Sequence, residues 1–172
     1  MTSRRTAPVN MTARRVADLG IIHFVLSGEG AARAALEAAA RSLANITFLP
    51  LQPIDRLGEL LGLADMHLLP QREDAADLVM PSKLGGMLAS GRPVIAGARP
   101  GTQVAAQVEG AGLVVPPEDA AALAAAVTEL AAAPGRRAAL GRAARERAVA
   151  NWSRETILAG FEARLRELAD SQ

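Results

Sequence analysis

The 172 residues suffice for one domain with a sizeable core; half are hydrophobic, mostly Ala, Leu and Val, and the only aromatics are Phe24, Phe48, Trp152 and Phe161. A net charge of +1, from 19 basic and 18 acidic residues interleaved along the chain, excludes the one-sided basic surface and stacking aromatics of a nucleic-acid groove. The chain has no cysteine, which excludes disulfides and thiolate metal sites, and no apolar run reaches the roughly eighteen residues needed to span a bilayer.

Residues 1–20 are polar, carry Arg4, Arg5, Arg14 and Arg15, and hold no apolar stretch of signal-peptide length. They read as an irregular lead-in, ending in a short helix around 11–19, with the domain proper over 21–172. The run 21–26 predicts a buried strand closed by Ser27-Gly28-Glu29-Gly30, and a helix follows over 31–43. Asn45 leads into a strand over Ile46–Leu49. Pro53 suits a first helical turn, and 54–64 reads as the helix behind it. A strand over 66–69 ends at Pro70, a polar loop runs over 71–79, and a helix over 81–90 stops at Gly91. A strand over 93–96, a short helix over 102–108 and a strand over 113–115 come next, the last closed by Pro116 and Pro117. Glu118 and Asp119 put acid at the positive end of a helix over Ala120–Ala132. Two further helices, about 134–150 and 153–169, carry Arg142/Glu146 and Glu162/Arg166 at helical spacing.

Continuous apolar strands separated by helices imply an α/β fold: a doubly wound parallel sheet covered on both faces, with extra C-terminal helices. Ligands of such sheets bind at the carboxyl ends of the strands. Lys83 is the one lysine among the 19 basic residues, and it opens a helix as Pro81-Ser82-Lys83. A compact ammonium beside helix-terminal amides suits a phosphate oxygen. Gly85 and Gly86 each cost roughly 1 kcal/mol relative to Ala inside a helix, in a chain that uses alanine freely. Either a ligand approaches there or the helix packs tightly on the sheet. The loop before that helix carries Glu73, Asp74 and Asp77; in isolation it is a solvated loop, although Asp77 reaches the mouth of a site at the helix terminus.

Gly28-Glu29-Gly30 is turn chemistry, because Arg33 stands where a dinucleotide fingerprint has its third glycine. NAD binding is rejected on that ground. His23 and His67 lie within strands, without metal spacing, and read as structural. No Ser-His-Asp arrangement or Walker sequence occurs, so no catalytic residue and no metal ligand is named.

Five ordered blocks stand out: Phe24 to Gly30, Asn45 to Pro53, Leu63 to Pro70, the Pro81-Ser82-Lys83-Leu84 block through Ala96, and Gly110 to Asp119. Together they resemble the second domain of family 4 glycosyltransferases of the GT-B fold, and of the colanic-acid-type exopolysaccharide enzymes in particular. The resemblance implies a Rossmann-like half of a GT-B enzyme that holds a nucleotide-diphosphate sugar, UDP- or GDP-linked, with no cofactor. By it, Ser82, Lys83 and Leu84 face the diphosphate; Asp77, Gly85 and Gly86 lie toward ribose and sugar; Leu51, Gln52, Pro53 and Leu57 flank the base; and Gly28 and Gly30 turn near the site. Gly86 and Leu78 occupy places where many members carry glutamates eight residues apart, so the donor contacts differ from theirs.

The implied activity is hexosyl transfer to an acceptor hydroxyl in polysaccharide biosynthesis, in the cytoplasm and at most peripheral at the inner membrane face. Only the second of the family's two domains is matched, so the expectation is a truncated donor-binding domain with little activity of its own. The alternative is a non-catalytic subunit or remnant that needs a separate protein supplying the N-terminal domain. A sugar-nucleotide epimerase ranks last, since Asp74 and Asp77 have no histidine near them in sequence.

Overall fold

A computed structural model of the chain describes residues 7–73 and 80–170. Short apolar runs become five strands. β1 (Phe24–Ser27) and β2 (Ile46–Leu49) pair in parallel, Phe24 opposite Ile46 and Ser27 opposite Leu49. β3 (His67–Pro70), β4 (Val94–Gly97) and β5 (Gly112–Val115) form a second parallel ladder in the order β3-β4-β5. The described residues therefore hold two ladders, with β1 and β3 unpaired to each other, where a single covered sheet is expected from sequence.

Helices cover the strands. They are α1 (Ala7–Arg15), α2 (Arg33–Ala40), α3 (Leu57–Leu63), α4 (Ser82–Ala89), α5 (Gln103–Val108), α6 (Ala120–Ala132), α7 (Pro134–Trp152) and α8 (Arg154–Asp170). Successive side chains on β4 point to opposite faces and so build two cores. Val94 and Ala96 join Leu84, Leu88, Val104, Val108, Ala144 and Ala148 on the α4, α5 and α7 side. Ile95 joins Ala13, Val16, Phe24, Leu123, Val127 and Leu130 on the α1 and α6 side. Leu84, Leu88 and Leu130 are fully enclosed, and burying each such side chain contributes about 1.5–3 kcal/mol.

Local chemistry fixes the connections. Asp119 Oδ1 accepts from the Ala121 and Ala122 N–H groups, both at 2.9 Å, which starts α6 where the acidic pair predicts it. Thr102 Oγ1 accepts from Ala105 N–H at 3.2 Å and starts α5. Gly112 is required by close approach: a Cβ there would lie 1.9 Å from the Val94 carbonyl oxygen.

The amino-terminal segment departs from the sequence expectation. Residues 7–15 form α1 and Ala17–Leu19 a 3₁₀ turn, where an irregular lead-in ending in a short helix around 11–19 is expected. Ala13 and Val16 are buried, and so are the polar Asn10 and Thr12. Asn10 Nδ2 donates to Leu36 O and Thr12 Oγ1 to Ala120 O, which holds the helix against α2 and α6. Among the described residues, α1 is therefore part of the packed domain. Strand β1 starts later than expected, at Phe24, because Ile21 sits in a bend and is 78% exposed.

Candidate functional site

Each candidate segment leaves the carboxyl end of a strand. After β1, Gly28 adopts φ +138°, a conformation that side chains rarely tolerate. Arg33 secures this turn: its Nη1 donates to Gly28 O at 2.6 Å and to Leu49 O at 2.7 Å, joining the ends of β1 and β2. Its Nε donates to Glu37 at 2.8 Å, and its guanidinium lies over Phe48. The residue that displaces a dinucleotide fingerprint thus has a structural task. Gly30 follows in the same exposed turn.

After β2, Ser27 Oγ and Gln52 Nε2 both donate to Pro50 O, at 2.8 and 3.0 Å. Leu51, Pro53 and Leu57 line an exposed rim leading into α3. After β3, α4 opens at Pro81 without a side-chain cap, and Ser82 and Lys83 stand exposed at its first turn. Their N–H groups precede the first intrahelical bonds and add to the positive end of the helix dipole.

Leu84 does not belong with them. Its side chain is fully buried in the core and its N–H is bonded to Pro81 O at 3.0 Å, because the apolar face of α4 needs it inward. The glycines of α4 face protein. A Cβ at Gly85 would meet the Trp152 ring at 3.8 Å, and one at Gly86 would meet Leu61 Cδ1 at 3.4 Å. Both are ordinary van der Waals separations, and the Leu61 contact sets α3, on the expected base side, against α4. Asp77, together with Asp74 and Leu78, lies outside the described residues.

The sequence gives no sign of a second feature at this edge. An open cavity of about 520 Å³ is lined by Arg72 and Glu73 after β3, Arg99 after β4 and Glu118 after β5. Arg99 pairs with Glu73 across it. Glu118 holds φ +58°, a left-handed conformation that costs a non-glycine residue about 1–3 kcal/mol. Glu73 and Glu118 sit in segments whose charge is visible in sequence, but only the fold brings three strand ends together.

The histidines serve the strands. His23 Nε2 is 2.8 Å from Thr47 Oγ1. Ser90 Oγ donates to Met87 O at 2.6 Å, so the 3.0 Å contact between His67 Nε2 and Ser90 Oγ has His67 as donor. Burial, and secondly the Arg92 guanidinium, lower the His67 pKa from 6.5 to about 4, so the ring is neutral. Among the described residues, no group of three or more His, Asp or Glu is placed to hold a metal ion.

Residues 9–133, most of the chain, match the family described as Glycosyl transferases group 1. The chain belongs to that family. It is 36% identical over 154 residues to an Escherichia coli (strain K12) protein named as the colanic acid biosynthesis glycosyl transferase WcaI, covering 87% of this chain and 37% of that protein. Sucrose-phosphate synthase from Thermosynechococcus elongatus superposes with a TM-score of 0.79 at 27% identity, over 98% of this chain and 44% of that one. Anabaena Alr3699/HepE, solved in complex with UDP-glucose, superposes at 0.72 with 15% identity, over 95% of this chain and 45% of that one, and supports the fold alone. This family member thus spans under half the length of these relatives, and its parallel strands with flanking helices match GT-B glycosyltransferases. No helix among the described residues is long and apolar enough to cross a membrane.

Proposed function

We propose that this chain is the donor-binding part of a glycosyltransferase that moves a hexosyl group from a UDP- or GDP-linked sugar to an acceptor hydroxyl in polysaccharide biosynthesis. The observation that carries this is the first turn of α4, where Ser82 and Lys83 stand exposed at the carboxyl end of the strands. Two free amide donors, a helix dipole and an ammonium converge on one small region, which is the recognition chemistry of a pyrophosphate. As the anomeric carbon–oxygen bond breaks, negative charge grows on the leaving diphosphate, and donors already in place there stabilise it without reorganisation. In this reading Leu51, Gln52, Pro53 and Leu57 form the base side of the site. No cofactor enters the proposal, since the pyrophosphate is itself the leaving group. A cytoplasmic location belongs to it as well, with peripheral contact at the inner membrane face as the upper limit.

Titration calorimetry of the 172-residue protein against UDP and GDP tests this proposal, with Lys83→Ala alongside. Loss of the ammonium removes one charge-assisted contact of about 1.5–3 kcal/mol, so affinity for the binding nucleotide drops at least about tenfold. Equal heats for both proteins, or no nucleotide binding at all, refute the site.

A second reading is a non-catalytic subunit completed by a separate protein carrying the N-terminal domain. One observation favours it: α8 buries none of its residues and exposes Ile157, Leu158, Phe161, Leu165 and Leu168 at helical spacing. Sugar transfer that appears only after such a partner is added separates this reading from the first.

A further inference from the structure

Resting on the sugar-transfer reading above, we infer that the open cavity at the carboxyl ends of β3, β4 and β5 is a subsite for an uncharged sugar ring, held by its hydroxyls between Arg72, Glu73, Arg99 and Glu118. Three strand ends build it. Ala98 N–H donates to Val115 O at 2.9 Å, which keeps the chain beyond β4 beside the end of β5. The segments leaving β3 and β5 meet around Gly97, where a Cβ would lie 3.5 Å from both Gln71 N and Pro117 Cα. Thr102 Oγ1 donates to Arg99 O at 2.9 Å and fixes the backbone that carries Arg99.

Glu118 is the residue the fold does not account for. It stands third in a turn closed by Asp119 N–H donating to Pro116 O at 3.4 Å, and its φ is +58°. That position, behind a proline, favours glycine, and this chain places 15 glycines elsewhere. The neighbouring Asp119 is engaged with the first α6 amides. Among the described residues the Glu118 carboxylate makes no hydrogen bond or ion pair. A strained side chain that gives the fold nothing thus lines the cavity, and strain of this kind gathers at ligand sites.

The lining sets the chemistry. Two guanidiniums and two carboxylates leave no net charge across the cavity. A carboxylate accepts from neighbouring hydroxyls, and a guanidinium donates to hydroxyl oxygens as a fork. A neutral ring with adjacent hydroxyls satisfies both signs, whereas a uronate meets Glu73 and Glu118 and an amino sugar meets the arginines. Arg99 and Glu73 already pair, but both side chains are more than half exposed, and such a pair opens readily to hydroxyls. None of the four lining residues is aromatic, so the ring is read at its edge and not by stacking. The volume of about 520 Å³ lies within the range of small-molecule sites.

The test titrates the 172-residue protein with the methyl glycosides of glucose, galactose and mannose and with methyl glucuronide, following amide shifts by NMR. At least one neutral hexoside shifts the Glu73, Arg99 and Glu118 amides with millimolar affinity, and the glucuronide does not. Glu118→Gly raises Tm, because the turn is relieved, and weakens hexoside binding at least about fivefold. Displacement of the hexoside by a UDP- or GDP-linked hexose, and not by UDP or GDP alone, assigns the ring to the donor; simultaneous binding assigns it to the acceptor. Lys83→Ala leaves hexoside binding unchanged, so failure at α4 is read separately from failure here. No shift with any neutral hexoside up to about 100 mM overturns the inference, as does equal binding of the glucuronide or undiminished affinity in Glu118→Gly.

Discussion

His67 gives the chain a defined acid sensitivity. The folded protein holds this ring neutral with a pKa of about 4, against 6.5 for an ordinary histidine, chiefly because burial penalises the charged form. The unfolded chain therefore binds the extra proton more readily at every pH between those values. The stabilisation is fully present above pH 6.5 and falls away as the pH drops toward 4, at about 1.4 kcal/mol per pH unit, or roughly 3 kcal/mol in all. Carboxylates titrate in part of the same window, so the measurement must isolate the imidazole. Urea unfolding of the wild type and of His67→Gln, at half-unit steps from pH 7.5 to 4, does so by difference. The wild type loses about 3 kcal/mol more than the variant over that range, most of it above pH 4.5. Parallel curves for the two proteins would refute the assignment of a neutral buried ring donating to Ser90.

Gly112→Ala places a methyl group 1.9 Å from the Val94 carbonyl oxygen, and only separation of β4 from β5 relieves it. A loss of about 4 kcal/mol or more in denaturant unfolding, or failure to fold, is the expected result. Gly86→Ala meets only the tip of Leu61 at 3.4 Å, so the helix-propensity gain of about 1 kcal/mol is largely kept and nucleotide affinity in calorimetry stays unchanged. A marked loss of affinity in that variant would show that the ligand touches Gly86 after all. Asp119→Ala removes the acceptor for two α6 amides and lowers stability by about 1 kcal/mol, measurable as a lower urea midpoint with unchanged slope.

Elements with unmixed signals were legible in the sequence. The strand Ile46–Leu49 and the helix Ala120–Ala132 appear with the bounds expected, since one is a short apolar run behind Asn45 and the other an alanine-rich stretch behind an acidic cap. Helix α1, expected only as a short helix around 11–19, was legible in part for the opposite reason. Its apolar positions Val9, Ala13 and Val16 have helical spacing, but Asn10 and Thr12 are buried among them and make the inward face look polar. Only partners distant in sequence, Leu36 and Ala120, show that these polar groups are satisfied. The break between the two ladders was invisible because each strand's own pattern says nothing about which neighbour it lacks.

The candidate site divides in the same way. That Ser82 and Lys83 open a helix was legible from composition and helix position, both of which are local properties. The inward turn of the Leu84 side chain was not legible, because a sequence block does not say which of its residues the periodicity of α4 turns to the core. The cavity formed by Arg72, Glu73, Arg99 and Glu118 joins three strand ends, so no local pattern could reveal it.

Helix α7 meets the end of α4 at a seam of minimal side chains. A methyl group at Gly141 would stand 2.3 Å from the Gly91 carbonyl oxygen, Ala144 and Ala148 lie in the same buried core as Leu84 and Leu88, and Arg145 Nη1 donates to Ala89 O at 2.7 Å. Two rods this close cannot slide or roll independently, because any shift of one collides with the main chain of the other. The orientation of Lys83 is thereby geared to a helix some sixty residues further along the chain. Tuning anion affinity by substitutions on α7, with every site residue left intact, follows from that gearing.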